Sequence, residues 1–424
     1  AFRYCNNLIE IYNMTQVDIA NNDACYYTSY LIRYAENIYN ASEGNSNINS
    51  SDDFVFYSDS SSTVLLKYLG NSANVTLPAK YNGNSYTIAS YAFVNNKNLT
   101  SVVVPDGVTE IGEKAFYGCE KLESVQLPAT VTSIGNNAFG GCSLRVAHLP
   151  VSALSGIAKS GLETVVIVNG ENLPADAFAG CEKLVSVTLP NTLKAIGARA
   201  FSGCTALKSI SIPDSVEEIF DEAFFGCEML EEAELPNGLV SFGSRVFDNC
   251  SALQFNEYNN AVYAGNASNP YIVLLRAKSV TIDTCTVNET TRIIAYGAFE
   301  NCIKLTQISI PNSVVTLGKK VFFGCSGLKT VNLGTAISEI GEDVFAECSS
   351  LETANLENIE IIGDRAFNNC AKLKTVDLSS IKSIGVKSFV GCPIPLVNLS
   401  AELESLESNS FDAVTDITID ESNA

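Results

Sequence analysis

The sequence contains no tryptophan, one histidine and two methionines in 424 residues. With a single imidazole, at His148, most histidine-dependent catalysis and histidine-based metal sites are excluded. Positive charge is also scarce, since 26 lysines and arginines stand against 47 aspartates and glutamates, for a net charge of −21. Such a chain repels polyphosphate, so we expect no nucleic-acid partner. No stretch approaches the roughly 18 uninterrupted apolar residues of a membrane helix, so we expect no membrane insertion.

Hydrophobic residues make up 46% of the chain and charged residues only 17%, which is ample for a continuous core. Phenylalanine recurs at steps of 22 or 23 residues within three groups, Phe93, Phe116 and Phe139, then Phe178, Phe201, Phe224 and Phe247, then Phe299, Phe322, Phe345, Phe367, Phe389 and Phe411. A cysteine follows three residues later in most repeats. The consensus is AFxxCxxLxxVxLPxxVxxIG, and a period in the low twenties with an LxxVxL core predicts a solenoid.

Each part of this consensus has a physical interpretation. Alternation at Val125 and Leu127 predicts a short strand with one buried face, which ends at Pro128 because proline cannot continue the ladder. Ile134 is expected to point inward again on the opposite side of the coil. The glycine that follows, Gly135 in this repeat, is expected to serve a corner that requires positive φ. Counting the strands predicts 16–17 coils of 22–23 residues.

The phenylalanines and cysteines are predicted to fill the interior of the coils. Stacked copies of Phe116 form a ladder, each worth roughly 1.5–3 kcal/mol when fully buried. The cysteines in the register of Cys119 lie about 4.8 Å apart in neighbouring coils, but their parallel side chains fit the disulfide dihedral poorly, so we interpret them as buried, unbridged thiols. A bridge between Cys5 and Cys25 stays open.

Two departures from the period indicate local changes of structure. Residues Leu144–Gly161 are predicted to form a shortened coil, because Leu144, Leu162 and Leu184 occupy the same position of the repeat but are spaced 18 and 22 residues apart. Near residues 258–276 two strand-like runs flank a Gly-Asn-Ala-Ser-Asn-Pro turn, which predicts a β-hairpin. The same pattern appears near residues 54–68. The chain is therefore expected to contain two modules, each consisting of a hairpin followed by coils.

The N-terminal region differs from the rest. Residues 1–8 read AFRYCNNL, a repeat junction without an initiator methionine, so we interpret the chain as an internal fragment of a longer protein. Apolar residues at helical spacing predict an amphipathic helix over residues 26–39, followed by a polar stretch at 40–51. The predicted division is residues 1–50, a partial repeat with a helix and a polar linker, and residues 51–424, the solenoid.

The segment Ala115–Gly135, AFYGCEKLESVQLPATVTSIG, resembles the BspA-like leucine-rich repeat, and the likeness covers almost all of the chain. The resemblance implies an α/β leucine-rich-repeat fold, a right-handed solenoid of mostly short parallel strands joined by turns and 3-10 segments. It also implies a secreted or cell-surface protein of the kind associated with adhesion to host matrix proteins such as fibronectin. The family has no motif of binding residues that could be carried over.

The outward positions of the predicted strands are mostly small and polar, which a Ser/Thr ladder between neighbouring strands explains. Binding hot spots favour large aromatic and arginine side chains, and only two clusters have this character. The predicted ligand-binding residues are Arg145 and His148 in one cluster, and Glu232, Glu234, Phe255, Glu257 and Tyr258 beside the second hairpin.

No catalytic residues, metal ligands or cofactor sites are predicted. The only histidine, His148, has no acid at a suitable spacing, and no phosphate-binding or nucleophile motif occurs. We therefore expect a non-enzymatic, extracellular binding module, monomeric, whose strand face holds a protein or glycan partner. Two alternatives stay open: a structural stalk that projects another domain, and an accessory segment of a larger surface protein such as a hydrolase.

Overall fold

The computed structural model describes residues 10–13, 37–40, 48–58, 60–412 and 416–419. The strands within these residues, in chain order, are β1 Glu10–Asn13, β2 Asn37–Asn40, β3 Ile48–Ser51, β4 Phe54–Ser58, β5 Thr63–Tyr68, β6 Asn74–Thr76, β7 Tyr86–Ile88, β8 Ser101–Val103, β9 Val108–Ile111, β10 Ser124–Gln126, β11 Ser133–Ile134 and β12 Val146–Leu149. They continue with β13 Thr164–Ile167, β14 Asn172–Leu173, β15 Ser186–Thr188, β16 Ala195–Ile196, β17 Ser209–Ser211, β18 Glu218–Ile219, β19 Glu232–Glu234, β20 Ser241–Phe242, β21 Asn256–Tyr258, β22 Ala261–Ala264 and β23 Val273–Ala277. The remaining strands are β24 Ile293–Ile294, β25 Gln307–Ser309, β26 Thr316–Leu317, β27 Thr330–Asn332, β28 Glu339–Ile340, β29 Thr353–Ala354, β30 Ile361–Ile362, β31 Ser383–Ile384, β32 Leu396–Leu399, β33 Ser405–Leu406 and β34 Asp416–Ile419.

The chain is a β-solenoid of about 15 turns with almost no helix. A regular coil contains a front strand, formed by the LxxVxL segment, and a back strand, formed by the VxxI segment. Within the described residues the only helical element is the 3-10 helix Val151–Gly156, which replaces the back strand of the shortened coil. The predicted leucine-rich-repeat solenoid of short parallel strands and turns is confirmed.

The first of two compact units contains the described residues up to Gly170 together with Cys181–Pro190. Its front strands form one six-stranded sheet in the order β15-β13-β12-β10-β8-β6. Its back strands form a second sheet in the order β11-β9-β7-β5-β4-β3, which begins with an antiparallel hairpin. The parallel register is regular: Ser124, Val125 and Gln126 of β10 lie beside the corresponding residues of the strands on either side.

The second unit contains Glu171–Gly180 and the described residues from Asn191 onward. Its back strands form sheets in the orders β14-β16-β18-β20, β21-β22-β23-β24-β26 and β28-β30-β31-β33. Its front strands are divided into the pair β17-β19, the sheet β25-β27-β29 and the pair β32-β34. The front ladder of this unit is thus interrupted between β19 and β25, and again between β29 and β32.

Antiparallel hairpins lie at both places where the turn chemistry predicted them. In β4–β5, Phe54 pairs with Tyr68, and in β22–β23, Ala261 pairs with Ala277. In both hairpins the register shifts directly after a valine. The second strand of each hairpin, β5 or β23, also pairs in parallel with the next back strand, β7 or β24. A further antiparallel strand, β3 or β21, precedes each hairpin. The two modules therefore begin with the same three-stranded arrangement.

The phenylalanines form stacked ladders in the core of each unit. Neighbouring rings lie between 4.5 Å apart, for Phe93 and Phe116, and 5.6 Å apart, for Phe224 and Phe247. Their planes are close to parallel, with an angle of 4° between Phe322 and Phe345. Within each ladder the rings pack against the rings of the neighbouring coils, so the interior filling predicted from the repeat is confirmed.

The cysteines of the described residues are all thiols, and almost all are buried, as predicted. The structure adds a role that the repeat did not reveal. The Sγ atom of Cys227 donates to the backbone carbonyl of Phe201 in the preceding coil at 3.1 Å, and Cys348 does the same to Phe322 at 3.1 Å. The thiols therefore fasten successive coils to each other. Cys5 and Cys25 lie outside the described residues.

The prediction that the corner glycines adopt positive φ is wrong. Gly112 and Gly135 do not have positive φ, which falls instead on Lys114 and Asn137, two residues before each phenylalanine. At Gly112 and Gly135 the glycine is required because the coils approach closely. A Cβ atom on Gly135 would lie 2.3 Å from the backbone nitrogen of Glu113.

The helix predicted over residues 26–39 lies mostly outside the described residues, but its end is corrected by the structure. Residues 37–39 belong to β2, which pairs in parallel with β1. The reason is local, since the segments Glu-Ile-Tyr-Asn and Asn-Ile-Tyr-Asn each place a β-branched and an aromatic residue side by side, as strands favour. The predicted polar linker likewise ends in β3, which pairs with β4.

Candidate functional site

A groove of about 590 Å³ opens on the front side of the second unit, where the front ladder is interrupted. One wall is β19, and the other is formed by the chain before β21 and by the turn of the second hairpin. Its lining residues are Glu231, Glu232, Ala233, Glu234, Phe247, Leu253, Gln254, Phe255, Asn256, Ala264, Gly265, Asn266, Ala267 and Pro270. Three of the predicted site residues, Glu232, Glu234 and Phe255, therefore lie together here.

The floor of the groove is apolar and aromatic. Phe247, which is 7% exposed, is the last ring of its ladder, and Phe255 lies over it with ring centroids 6.4 Å apart. Phe255 is half-buried, and the guanidinium of Arg276 lies 5.6 Å from its ring, within the range of a cation–π interaction. Phe255 is thus held between the core and a surface cation.

The β19 wall alternates acidic and small residues. Glu232 and Glu234 are exposed, as the two-residue period of a strand requires, and Ala233 between them occupies the position that carries a buried core residue in other coils. That position is Ile210 in β17 and Ile308 in β25, each 4% exposed, whereas Ala233 is half-buried. The small side chain leaves the interior of this coil open toward the groove.

The two carboxylates of this wall are not held in ion pairs with described residues. In the adjacent part of the unit, Glu217 pairs with Lys194 at 3.0 Å, and Glu222 pairs with Arg245 at 2.8 Å. Glu232 and Glu234, by contrast, make no ion pair with any residue that the structure describes. Their carboxylates are available to an external partner.

The hairpin turn holds the far rim of the groove in place. The Nδ2 atom of Asn266 donates to the carbonyl of Leu235 at 2.8 Å, and its Oδ1 atom accepts from the backbone amides of Ser268 and Asn269 at 2.9 and 2.8 Å. The amide of Leu235 donates to the carbonyl of Gly265 at 3.1 Å. Sequence reasoning identified this segment only as a turn, because nothing local shows that Asn266 reaches back to the end of β19.

The other two residues predicted for this cluster support the hairpin and do not line the groove. Glu257 forms an ion pair with Lys278 at 2.5 Å, across the hairpin. Tyr258 packs its ring against Tyr263 and Tyr271, with centroids 6.5 and 5.5 Å away. The structure thus divides the predicted acidic and aromatic patch into groove residues and supporting residues.

The second predicted cluster lies in the first unit, and its two members have different surroundings. Arg145 donates two hydrogen bonds to the carboxylate of Glu163, at 2.9 and 2.8 Å, and lies 3.9 Å from Glu123. These hydrogen bonds and the opposite charge raise the pKa of Arg145 and lower that of Glu163. His148 is half-buried in β12, beside Gln126 and Val166. Arg145 therefore links neighbouring coils and is not an uncommitted binding group.

A second groove, of about 580 Å³, lies on the later front strands of the second unit. It is lined by Thr284, Cys285, Thr286, Gln307, Ile308, Ser309, Thr330, Val331, Asn332 and Thr353. Its lining contains neither aromatic residues nor charges, so it offers hydroxyl and amide groups without an anchoring pocket. This surface is the Ser/Thr ladder that the sequence predicted as simple pairing between strands.

The described residues contain neither a membrane-spanning helix nor a metal site. No helix in them is long and apolar enough to cross a membrane. Likewise, the described side chains contain no group of three or more His, Cys, Asp and Glu residues arranged to hold a metal ion.

The coils, the phenylalanine ladder and the front strands define a leucine-rich-repeat protein. The chain belongs to the family described as the BspA type leucine rich repeat region, which matches residues 86–164, 157–268 and 278–420 in six copies. No curated protein sequence is significantly similar to the chain.

Several solved structures resemble the chain. A leucine rich cell surface protein from Faecalibacterium prausnitzii is 28% identical, with 89% of this chain and 95% of that chain covered and a TM-score of 0.34. A leucine-rich repeat protein from Bacteroides ovatus is 25% identical, with 88% and 99% covered and a TM-score of 0.33. The pneumococcal vaccine antigen PcpA is 16% identical, with 88% and 93% covered and a TM-score of 0.34.

Proposed function

We propose that the protein is a non-enzymatic, cell-surface or secreted binding module of adhesin type, and that the groove between β19 and the second hairpin holds its protein partner. The observation that carries the proposal is the combination of an aromatic floor with uncompensated carboxylates on one wall. Membership in the BspA type leucine-rich-repeat family supports a role at the cell surface.

The groove has the composition of a protein-binding site. Interface hot spots are enriched in aromatic residues that sit in pockets and are surrounded by polar groups. Phe255 supplies such an anchor, and Glu232 and Glu234 provide a charged rim that selects for a complementary partner. The hairpin turn on the far side of the groove is rigid because it is hydrogen bonded to the end of β19. Little conformational entropy is therefore lost on binding.

A solid-phase binding assay tests this proposal. The full chain is titrated onto immobilised fibronectin, laminin, fibrinogen, collagen and mucin, beside a Phe255→Ala/Glu234→Lys variant. A Glu339→Lys variant is the control, because Glu339 is exposed on a back strand and the change in charge is the same. Circular dichroism and thermal unfolding verify that all three proteins fold.

Saturable binding to one of these proteins that is lost in the double variant and kept in the control is the expected result. Binding that the double variant retains would move the site away from the groove. If the chain binds none of the five proteins, the adhesin proposal is wrong, and the stalk or the accessory segment becomes the better explanation. A titration with salt should weaken the binding, because exposed carboxylates on the rim are screened by ions.

A further inference from the structure

We infer that the groove takes an extended, positively charged segment of a partner protein, and that this segment adds to the open edge of β19 as an additional strand. The inference rests on the proposed binding role of the groove and specifies the chemistry of its ligand. Three features carry it: an unpaired strand edge, an uncompensated acidic wall and an apolar floor.

The regular coils show what β19 lacks. In the first unit, β10 has a strand on each side, and all three of its residues pair in both directions. In the described part of the second unit, β19 pairs only with β17. The next front strand in the same sheet position is absent there because the chain turns away into the antiparallel sheet of β21, β22 and β23.

The hairpin reaches only the end of this open edge. In a regular coil the amide of Leu127 donates to the carbonyl of His148 in the next front strand, at 2.7 Å. The equivalent amide of Leu235 donates to Gly265 in the hairpin turn. The three residues before Leu235 form β19 and have no such neighbour among the described strands. The hairpin turn therefore caps one end of the β19 edge, and the rest of this edge has no neighbouring strand.

The opposite side of the same coils is closed. The carbonyls of Leu239 and Val240, directly before β20, accept hydrogen bonds from Arg292 Nε at 3.2 Å and from Thr316 Oγ1 at 2.7 Å. Coils that precede the hairpin thus contact coils that follow it on the back side. The hairpin separates the front strands while the back sides touch, so the open edge is built into the fold of this unit.

An open strand edge is a template for strand addition, in which main-chain hydrogen bonds supply affinity and alternate side chains supply specificity. In a segment paired with β19, every second side chain faces the groove floor at Phe247 and Phe255. The side chains between them face outward, beside Glu232 and Glu234. The complementary segment therefore alternates apolar residues with lysine or arginine.

Peptide binding to the full chain tests this inference. The probes are capped heptapeptides of alternating lysine and valine, the same length of alternating glutamate and valine, and two forms of the lysine peptide that are N-methylated at either the lysine or the valine amides. Fluorescence anisotropy measures affinity at physiological salt. The wild-type chain is compared with Glu232→Lys/Glu234→Lys and with Glu339→Lys/Glu352→Lys, which changes the net charge equally at exposed positions away from the groove.

We expect the lysine peptide to bind at least tenfold more tightly than the glutamate peptide. At least one methylated form should bind at least tenfold more weakly than its parent, because strand addition needs the amides on one edge of the peptide. The groove variant should lose at least tenfold in affinity, and the charge-matched control less than threefold.

Three results would overturn the inference: no binding of the lysine peptide, equal losses in the groove variant and the control, or full binding of both methylated forms. The second would show nonspecific attraction to an acidic protein, and the third would show contact without strand pairing. These failures are distinct from failure of the proposed function. Peptide binding without a matrix partner would refute only the adhesin role, and matrix binding that the peptide does not displace would refute only the strand addition.

Discussion

Substitution of Cys227 tests why cysteine recurs at one position in the coils. Cys227 is fully buried, and its Sγ atom donates to the carbonyl of Phe201 at 3.1 Å. The same carbonyl accepts the amide of Cys204 at 3.1 Å. A carbonyl has two lone pairs, so the thiol provides the second of its two hydrogen bonds.

The expected cost follows from this geometry. Alanine removes one hydrogen bond, worth about 0.5–1.5 kcal/mol, while the carbonyl keeps its other partner and is not left bare. Loss of the buried sulfur atom also removes about 1 kcal/mol of hydrophobic stabilisation. We therefore expect Cys227→Ala to lower the free energy of unfolding by about 1.5–2.5 kcal/mol. Cys227→Ser keeps a donor and should cost less. Cys227→Val restores the buried volume without the donor, so it should still cost about the 0.5–1.5 kcal/mol of the hydrogen bond.

Urea unfolding at equilibrium measures these differences through the midpoint at constant m-value. Cys302 is the matched control, because it is equally buried but its Sγ atom lies 3.9 Å from the nearest acceptor, the carbonyl of Ser279. Serine and alanine should therefore differ little at Cys302. The reasoning is refuted if serine is no better than alanine at Cys227, or if valine matches the wild type, because the position would then select for volume alone.

Three further predictions concern the same architecture. Phe322→Ala should cost about 3–5 kcal/mol in urea unfolding, because the ring is fully buried between two stacked neighbours; a cost below ~1 kcal/mol would contradict the ladder. Gly135→Ala should lower the melting temperature, because its Cβ atom would lie 2.3 Å from the backbone of Glu113. Gly341→Ala should be neutral, because its Cβ atom would meet only Val344 Cγ2, at 3.9 Å; equal effects would refute the close-approach argument. Burial raises the pKa of Cys348 to about 12, so the folded state holds its proton where the unfolded state releases it. Stability from such thiols should be complete below about pH 9 and fall as the pH rises toward 12, which denaturant midpoints measured across this range would show; stability independent of pH there would contradict it.

The solenoid could be predicted from the sequence because its determinants are local and repeated. Each coil buries its phenylalanine and its LxxVxL residues against the coils directly before and after it, so one period contains nearly all the packing information. Val125 and Leu127 are buried and alternate with exposed positions, as the period of two requires. The hairpins could be predicted for the same reason, because their turn residues are a local signal.

The roles of glycine and cysteine were only partly predictable. Gly135 was recognised as a corner residue, but a close approach to Glu113 and a positive φ would each select glycine at this position. Only the structure distinguishes the two causes. Cys227 was recognised as a buried thiol, but its acceptor belongs to a residue in the previous coil, Phe201. The identity of such a partner depends on how consecutive coils superpose.

The candidate site shows the same division between sequence and tertiary structure. The sequence alone determined the repeat, the front strand that carries Glu232 and Glu234, and the aromatic residues beside the second hairpin. Only the tertiary structure decided that Phe255 joins the two glutamates in a groove while Tyr258 packs into the hairpin. The physical reason is that the local pattern sets which side chains a strand exposes. The open edge of β19 arises because the chain places no front strand beside it, which depends on contacts between distant residues.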